Sequence, residues 1–139
     1  MPFPARHYEL IGKWLSVKHA QYLQRLSYLQ SIRVLLRDYL KAVRDVMDAV
    51  WGDNEKFMFT RDVTLKALFR VFGDLIRNRK IVQAWEEDRS PKVFTNVVKP
   101  WADLTREFRA EGFYERFPAK GQVERVRRIH TRLGQNLNQ

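Results

Sequence analysis

Between Lys13 and Trp51 the sequence contains neither glycine nor proline, so no residue there interrupts a helix by its backbone chemistry. Apolar residues recur through the stretch at three- and four-residue spacing: Leu26, Leu29, Ile32, Leu36, Leu40, Val43, Met47 and Val50. That period is helical. The stretch reads as one long helix, or as two end to end with a break near Ser27 to Ser31. Leu35, Tyr39 and Val46 widen the apolar surface beyond one face. Such a helix is largely buried or packs against several partners.

Gly52-Asp53-Asn54 supplies turn chemistry to end it. Phe57-Met58-Phe59 reads as a short extended piece. Thr60 is the expected cap of a second helix, with Asp62 favourably placed in its first turn. Leu65, Leu68, Phe69, Phe72, Leu75 and Ile76 mark one face of that helix, and Lys66, Arg70 and Arg77 another. Asp62 and Lys66 stand four apart, the spacing of a helical ion pair.

Arg77 to Lys80 looks like a basic helix end, and Ile81 to Asp88 fits no single pattern, though Trp85 is expected to pack. Ser90-Pro91 reads as a cap and first helical residue, with Pro100 stopping the helix near Val98. A further helix fits Trp101 to Ala110, ended by Gly112. Between Gly121 and Gly134 lies the clearest element. Val123, Val126, Ile129, His130 and Leu133 form its apolar face, and Arg125, Arg128 and Arg132 an opposite stripe with Arg127 beside it. No alternating run is long enough to build a sheet. The expected fold is all-α: a single compact domain over residues 1–139, with one long N-terminal helix and about four shorter ones.

A chain of 139 residues with nine Phe, five Tyr and four Trp can bury a core without staples. It has no cysteine, which removes disulfides, thiolate metal sites and thiol nucleophiles. No apolar run approaches a bilayer span. Arg6, His7 and Glu9 do not make a signal-peptide start. A cytoplasmic location with no membrane partner is the expectation.

The net charge is +10, which favours a polyanionic partner. Half of that excess falls in residues 116–139, which carry Arg116, Lys120, Arg125, Arg127, Arg128 and Arg132 against Glu124 alone. A localised excess argues for a binding face. Arginines at such helical spacing suit successive phosphates. The stripe of Lys66, Arg70 and Arg77 is weaker, because Asp62 and Asp74 partly neutralise it.

Catalytic chemistry finds little support. The six glycines are scattered, so no phosphate loop forms. His7, His19 and His130 are far apart and lack companion ligands. His130, on an apolar face, reads as a satisfied core histidine. Glu86-Glu87-Asp88 reads as a solvated turn rather than a cation site. No catalytic residue, metal ligand or cofactor is expected. Trp14, Trp51, Phe69, Phe72 and Phe108 read as core. Phe113, Tyr114 and Phe117 flank the basic segment and are the better candidates for stacking on bases, although packing is the simpler role for them too.

One region has a familiar pattern. Asp38 to Val43, then Val50-Trp51, then Phe59-Thr60 leading into Leu65 to Leu75, resembles the C-terminal helical part of DGQHR-domain proteins. That group includes DndB-like proteins associated with DNA phosphorothioation. Gly112-Phe113-Tyr114 and Lys120-Gly121-Gln122 fit the same region loosely, so the resemblance covers residues 35–134. The chain has no Asp-Gly-Gln-His-Arg string and lacks the preceding part of those proteins, so no catalytic residue carries over. The resemblance implies a link to DNA modification, its regulation or phage defence, in a fragment or a free-standing remnant.

The leading expectation is a non-enzymatic nucleic-acid-binding module, with DNA favoured over RNA, that grips phosphates through Arg116, Lys120, Arg125, Arg127, Arg128 and Arg132, with Lys66, Arg70 and Arg77 as a second group. The alternative is a protein-interaction or homodimerisation domain that presents the apolar face of the long helix. Membrane-surface binding through the last helix is disfavoured, because that helix lacks aromatic anchors. Burial or acid pairing of Arg125, Arg128 and Arg132 would remove the main argument for the leading expectation.

Overall fold

One uninterrupted helix, α1, runs from Ala5 to Val46. It passes through Ser27 to Ser31 without a break. It also begins before Lys13 and carries Gly12 internally, where Ser16 Oγ donates to the Gly12 carbonyl at 3.0 Å. A computed structural model describes the backbone of residues 5–138 and the side chains of residues 10–138. The readings at Arg6, His7 and Glu9 lie outside the described side chains. The chain groups into two units, residues 1–35 and residues 36–139, and each is described on its own.

In the first unit, α1 leaves its large apolar side chains in solvent. Leu10, Ile11, Trp14, Leu15, Val17, Tyr22, Leu23, Leu26, Tyr28 and Leu29 are all between 39% and 64% exposed. The expected burial of Trp14 is therefore corrected. Its ring lies under the Lys18 ammonium, 5.7 Å from the centroid, and in no core.

The second unit holds a core. Tyr39, Ala42, Val43, Met47 and Val50 are buried there. The helical path ends at Val46, a turn earlier than Trp51, and closes through Val50 and Trp51 N–H groups donating to the Met47 carbonyl at 3.0 and 2.9 Å. Gly52 then takes φ +81, a left-handed conformation that favours glycine.

Of the expected extended piece Phe57-Met58-Phe59 only Phe57 is paired, with a distant segment, and the chain bends at Met58 and turns at Phe59. Met58 N–H donates to the Phe108 carbonyl at 2.7 Å, and Ala110 N–H to Lys56 at 2.8 Å, which makes an isolated bridge between Phe57 and Arg109. Helix α2 spans Asp62–Ile76, with Arg61 rather than Thr60 at its N-cap position and no side-chain cap bond. The Thr60 hydroxyl is spent on the preceding loop, where it donates to Asn54 Oδ1 and accepts from Gly52 N–H. The expected Asp62–Lys66 ion pair does not form.

Helix α3 spans Arg79–Asp88, so the ambiguous segment is helical. Asn78 explains why: its Oδ1 accepts from Lys80 N–H at 3.0 Å and Ile81 N–H at 3.4 Å, supplying the partners that the first turn lacks. Helix α4 spans Lys92–Val98. Where a helix is expected from Trp101 to Ala110, Lys99–Phe108 forms a 3-10 helix. Pro100 has no N–H to donate, so the α pattern of the preceding helix cannot carry through it. Tighter winding still buries Trp101, Leu104 and Phe108.

Helix α5 spans Phe113–Arg116 and α6 spans Gln122–Gln135. Among the described residues no strand forms beyond the one bridge, and the fold is all-α. Helices α2 and α6 pack against each other. Trp101 Nε1 donates to the Leu133 carbonyl at 3.0 Å and ties the 3-10 helix to α6. Phe108 stands edge-on to Phe59, ring centroids 5.0 Å apart, and lies 5.7 Å from Phe117. These contacts fix the ground on which the arginines stand.

Candidate functional site

The nine basic residues singled out in the sequence do not form one surface. Arg116, Arg127, Arg128 and Arg132 line one open recess of about 600 Å³ with Glu107, Phe117, Glu124, Thr131 and Gln135. Lys66 and Arg70 line another, with Phe69, Gln122, Val123 and Val126. Arg77 lines a third, with Arg79 and Glu86, and stands 3.9 Å from Asp74. Lys120 is exposed just before α6.

The stripe expected to grip phosphates is largely engaged within the protein. Arg132 is held by Glu107 through two hydrogen bonds of 2.8 Å each. Those bonds push its guanidinium above its ordinary value. Arg125 turns toward the chain, donating from Nε to the Phe117 carbonyl at 3.0 Å and from Nη2 to Ala119 at 3.4 Å. Its guanidinium also lies 4.5 Å from the Tyr114 ring centroid. Arg128 reaches Glu124 at 3.4 Å on the same helix. The reason is local: Glu107 and Glu124 lie beside these arginines, and the turn before α6 offers the Phe117 and Ala119 carbonyls to Arg125. Arg125 and Arg132 thus make contacts within the protein, while Arg128 stays exposed beside Glu124 on its own helix.

Glu124 works at the start of α6. Lys120 N–H donates to its Oε2 at 3.0 Å. That backbone bond, with Arg128 beside it, holds the Glu124 carboxyl below the usual range. Arg116 also has a bracing role: its Nε donates to the Glu107 carbonyl at 2.8 Å and its Nη2 to the Arg109 and Glu111 carbonyls.

Two arginines were missed by the sequence reading. Arg106 and Arg109 adjoin the first recess in a neighbouring one that shares Glu107 and Arg116. In sequence they sit among as many acids as bases, which hides them. In space the shared walls join them to Arg127 and Arg128. Among the described residues, Arg106, Arg109 and Arg127 are exposed and have no acidic partner.

The aromatics sort cleanly. Phe113 and Phe117 are buried and pack at 5.2 Å, whereas Tyr114 is exposed under Arg125. Phe69, expected in the core, is 49% exposed, and Val123, expected on the apolar face of α6, is 70% exposed. Both border the recess that holds Lys66 and Arg70. His130 Nε2 meets Asp74 Oδ2 at 2.6 Å, so it is satisfied and half-buried. Glu86, Glu87 and Asp88 are exposed at the end of α3, where Asp88 accepts from Ser90 Oγ.

Residues 10–29 of α1 form the other candidate. Ile11, Leu15, Tyr22, Leu26 and Leu29 follow one another at helical spacing, and Leu10, Trp14, Val17 and Tyr28 make a second stripe beside them. Ser16 and Ser27 mark the opposite side, where Leu23 is the one large apolar residue exposed among residues 10–29. All nine apolar residues of the two stripes are exposed. No helix of the described residues is long and apolar enough to cross a membrane. No family model, curated protein or solved structure matches this chain.

Proposed function

We propose that this protein is a helix-mediated interaction module, in which residues 10–29 of α1 dock against another protein chain. The observation that supports it is the exposure of Leu10, Trp14, Leu15, Tyr22, Leu26 and Leu29 on one helix. Scattered apolar residues on a surface need no explanation, but an exposed, largely apolar face of this length marks an interaction site. Trp and Tyr are the residues that most often carry binding energy at such sites. The test is tagged full-length chain against the variant with Leu15, Tyr22, Leu26 and Leu29 changed to Gln. The native chain is expected to form a stoichiometric complex, with a second copy or another protein, that the variant does not form. A complex that survives the four changes overturns the reading.

A second reading rests on the joined recesses of Arg106, Arg109, Arg116, Arg127 and Arg128. A surface of this kind suits phosphate oxygens without reading sequence, in keeping with the resemblance to proteins linked to DNA modification. Its test is fluorescence-anisotropy binding to duplex DNA, single-stranded DNA and RNA across a salt series. Arg106, Arg109 and Arg127 changed to Glu is the control, because Arg125 and Arg132 bond to other groups of the protein. Steep salt dependence that disappears in the control supports it. No binding at about 50 mM salt removes it.

A further inference from the structure

From Leu10 to Leu35 the chain has no aspartate or glutamate, while it carries Lys13, Lys18, Arg25 and Arg33. Two of these cations lie within the apolar face rather than opposite it. Lys18 stands one turn from Trp14, Leu15 and Tyr22, and Arg25 one turn from Tyr22, Tyr28 and Leu29. The Lys18 ammonium lies over the Trp14 ring. Lys18 and Arg25 are seven residues apart, or about 10 Å along the helix axis.

A cation enclosed in an apolar interface needs a carboxylate, since burying it unpaired costs more than the apolar contact returns. This constrains the occupant. A parallel second copy would set Lys18 against Lys18 and Arg25 against Arg25. An antiparallel copy centred on Tyr22 would bring Arg25 opposite His19. Neither arrangement supplies an acid, because residues 10–35 contain none. A lipid surface asks for cations on the polar side of an in-plane helix, and here that side carries Ser16, Ser27 and one cation, Lys13, while Lys18 and Arg25 share the apolar side.

We propose that the partner of residues 10–29 is an acidic helix of a different protein, with an apolar seam and two carboxylates two turns apart that pair with Lys18 and Arg25. The proposal rests on the interaction reading above and narrows it. Charge complementarity of this kind sets partner choice and register.

The test uses the full-length chain and two synthetic amphipathic helices that differ only in the seam, one with two Glu two turns apart and the other with two Lys. Affinity is read by anisotropy, and self-association by sedimentation velocity. The Glu peptide is expected to bind about tenfold or more tighter than the Lys peptide, the scale of two partly desolvated ion pairs against two repulsions. The variant with Lys18→Glu and Arg25→Glu is expected to reverse that order. Circular dichroism checks that the variant keeps its helix. Equal binding of both peptides, or a salt-insensitive homodimer, overturns the acidic-partner proposal and leaves the interaction reading standing. Binding to phosphatidylglycerol vesicles with neither peptide bound, or no association of any kind, overturns both.

Discussion

Arg132 and Glu107 are joined by two parallel hydrogen bonds of 2.8 Å, Nε to Oε1 and Nη2 to Oε2. The pair links α6 to the 3-10 helix and converts an arginine of the basic segment into a strut. Paired charges in this fork geometry are among the stronger polar contacts. Changing Glu107 to Gln is expected to lower stability by about 1 kcal/mol, read as a shifted urea midpoint. An unchanged midpoint would show that the strut carries no load.

Asp38 is 2% exposed and accepts from Trp85 Nε1 at 2.8 Å, with Arg37 Nε at 3.4 Å. Asp38→Ala leaves a buried indole N–H without an acceptor, for an expected loss of about 2 kcal/mol. Asp38→Asn keeps a carbonyl there and should cost about half of that. Equal losses in the two variants, measured by denaturant unfolding, would contradict the role assigned to the indole bond.

Tyr39 is buried and its hydroxyl donates to the Leu68 carbonyl at 2.8 Å. Burial, and next the charge of Asp74, raise its phenol far above the ordinary range, so it stays protonated as a donor throughout the folded range. Tyr39→Phe should cost about 1 kcal/mol by loss of that bond. The same unfolding titration checks it.

Glu124 carries the pH dependence at the start of α6. Its folded-state value is depressed, first by the Lys120 N–H bond and then by Arg128. Above the ordinary glutamate range the carboxylate is ionised in folded and unfolded chains alike, and its contribution is fully present. As pH falls the unfolded chain takes up its proton first, and the contribution is lost as pH passes through the folded value. Carbon-detected NMR should find Glu124 titrating below the ordinary glutamate range. Glu124→Gln should flatten the acid limb of stability in proportion.

Much of the second unit was legible in sequence because its periodicity survives folding. Leu68, Phe72 and Leu75 on α2, and Val126, Ile129 and Leu133 on α6, are buried as their spacing says. The cap at Asn78 was passed over because the surrounding Arg77, Arg79 and Lys80 obscure it, although an Asn before an apolar run is itself a start signal. The 3-10 winding after Pro100 has the same residues that an α-helix would have. Only the missing N–H marks it.

The functional surfaces were less legible. Helical spacing places Arg125, Arg128 and Arg132 on one stripe but says nothing of Glu107, which is distant in sequence and adjacent in space. Arg106 and Arg109 were hidden by the converse effect. On α1 the apolar spacing read from Leu26 to Val50 takes in Leu26 and Leu29 but not the exposed Leu15 and Tyr22, and such a period is the same whether a helix is buried in its own chain or offered to another. Only exposure separates the two.

Site-specific photocrosslinking in cells tests the central claim most directly, with the photoreactive residue placed in the full-length chain at Tyr22 or Leu29, or on the opposite side at Ser16 or Ser27. The account predicts one discrete crosslinked product from Tyr22 and Leu29 and none from the two serines. Equal products from all four positions, or none from Tyr22 and Leu29, would contradict it.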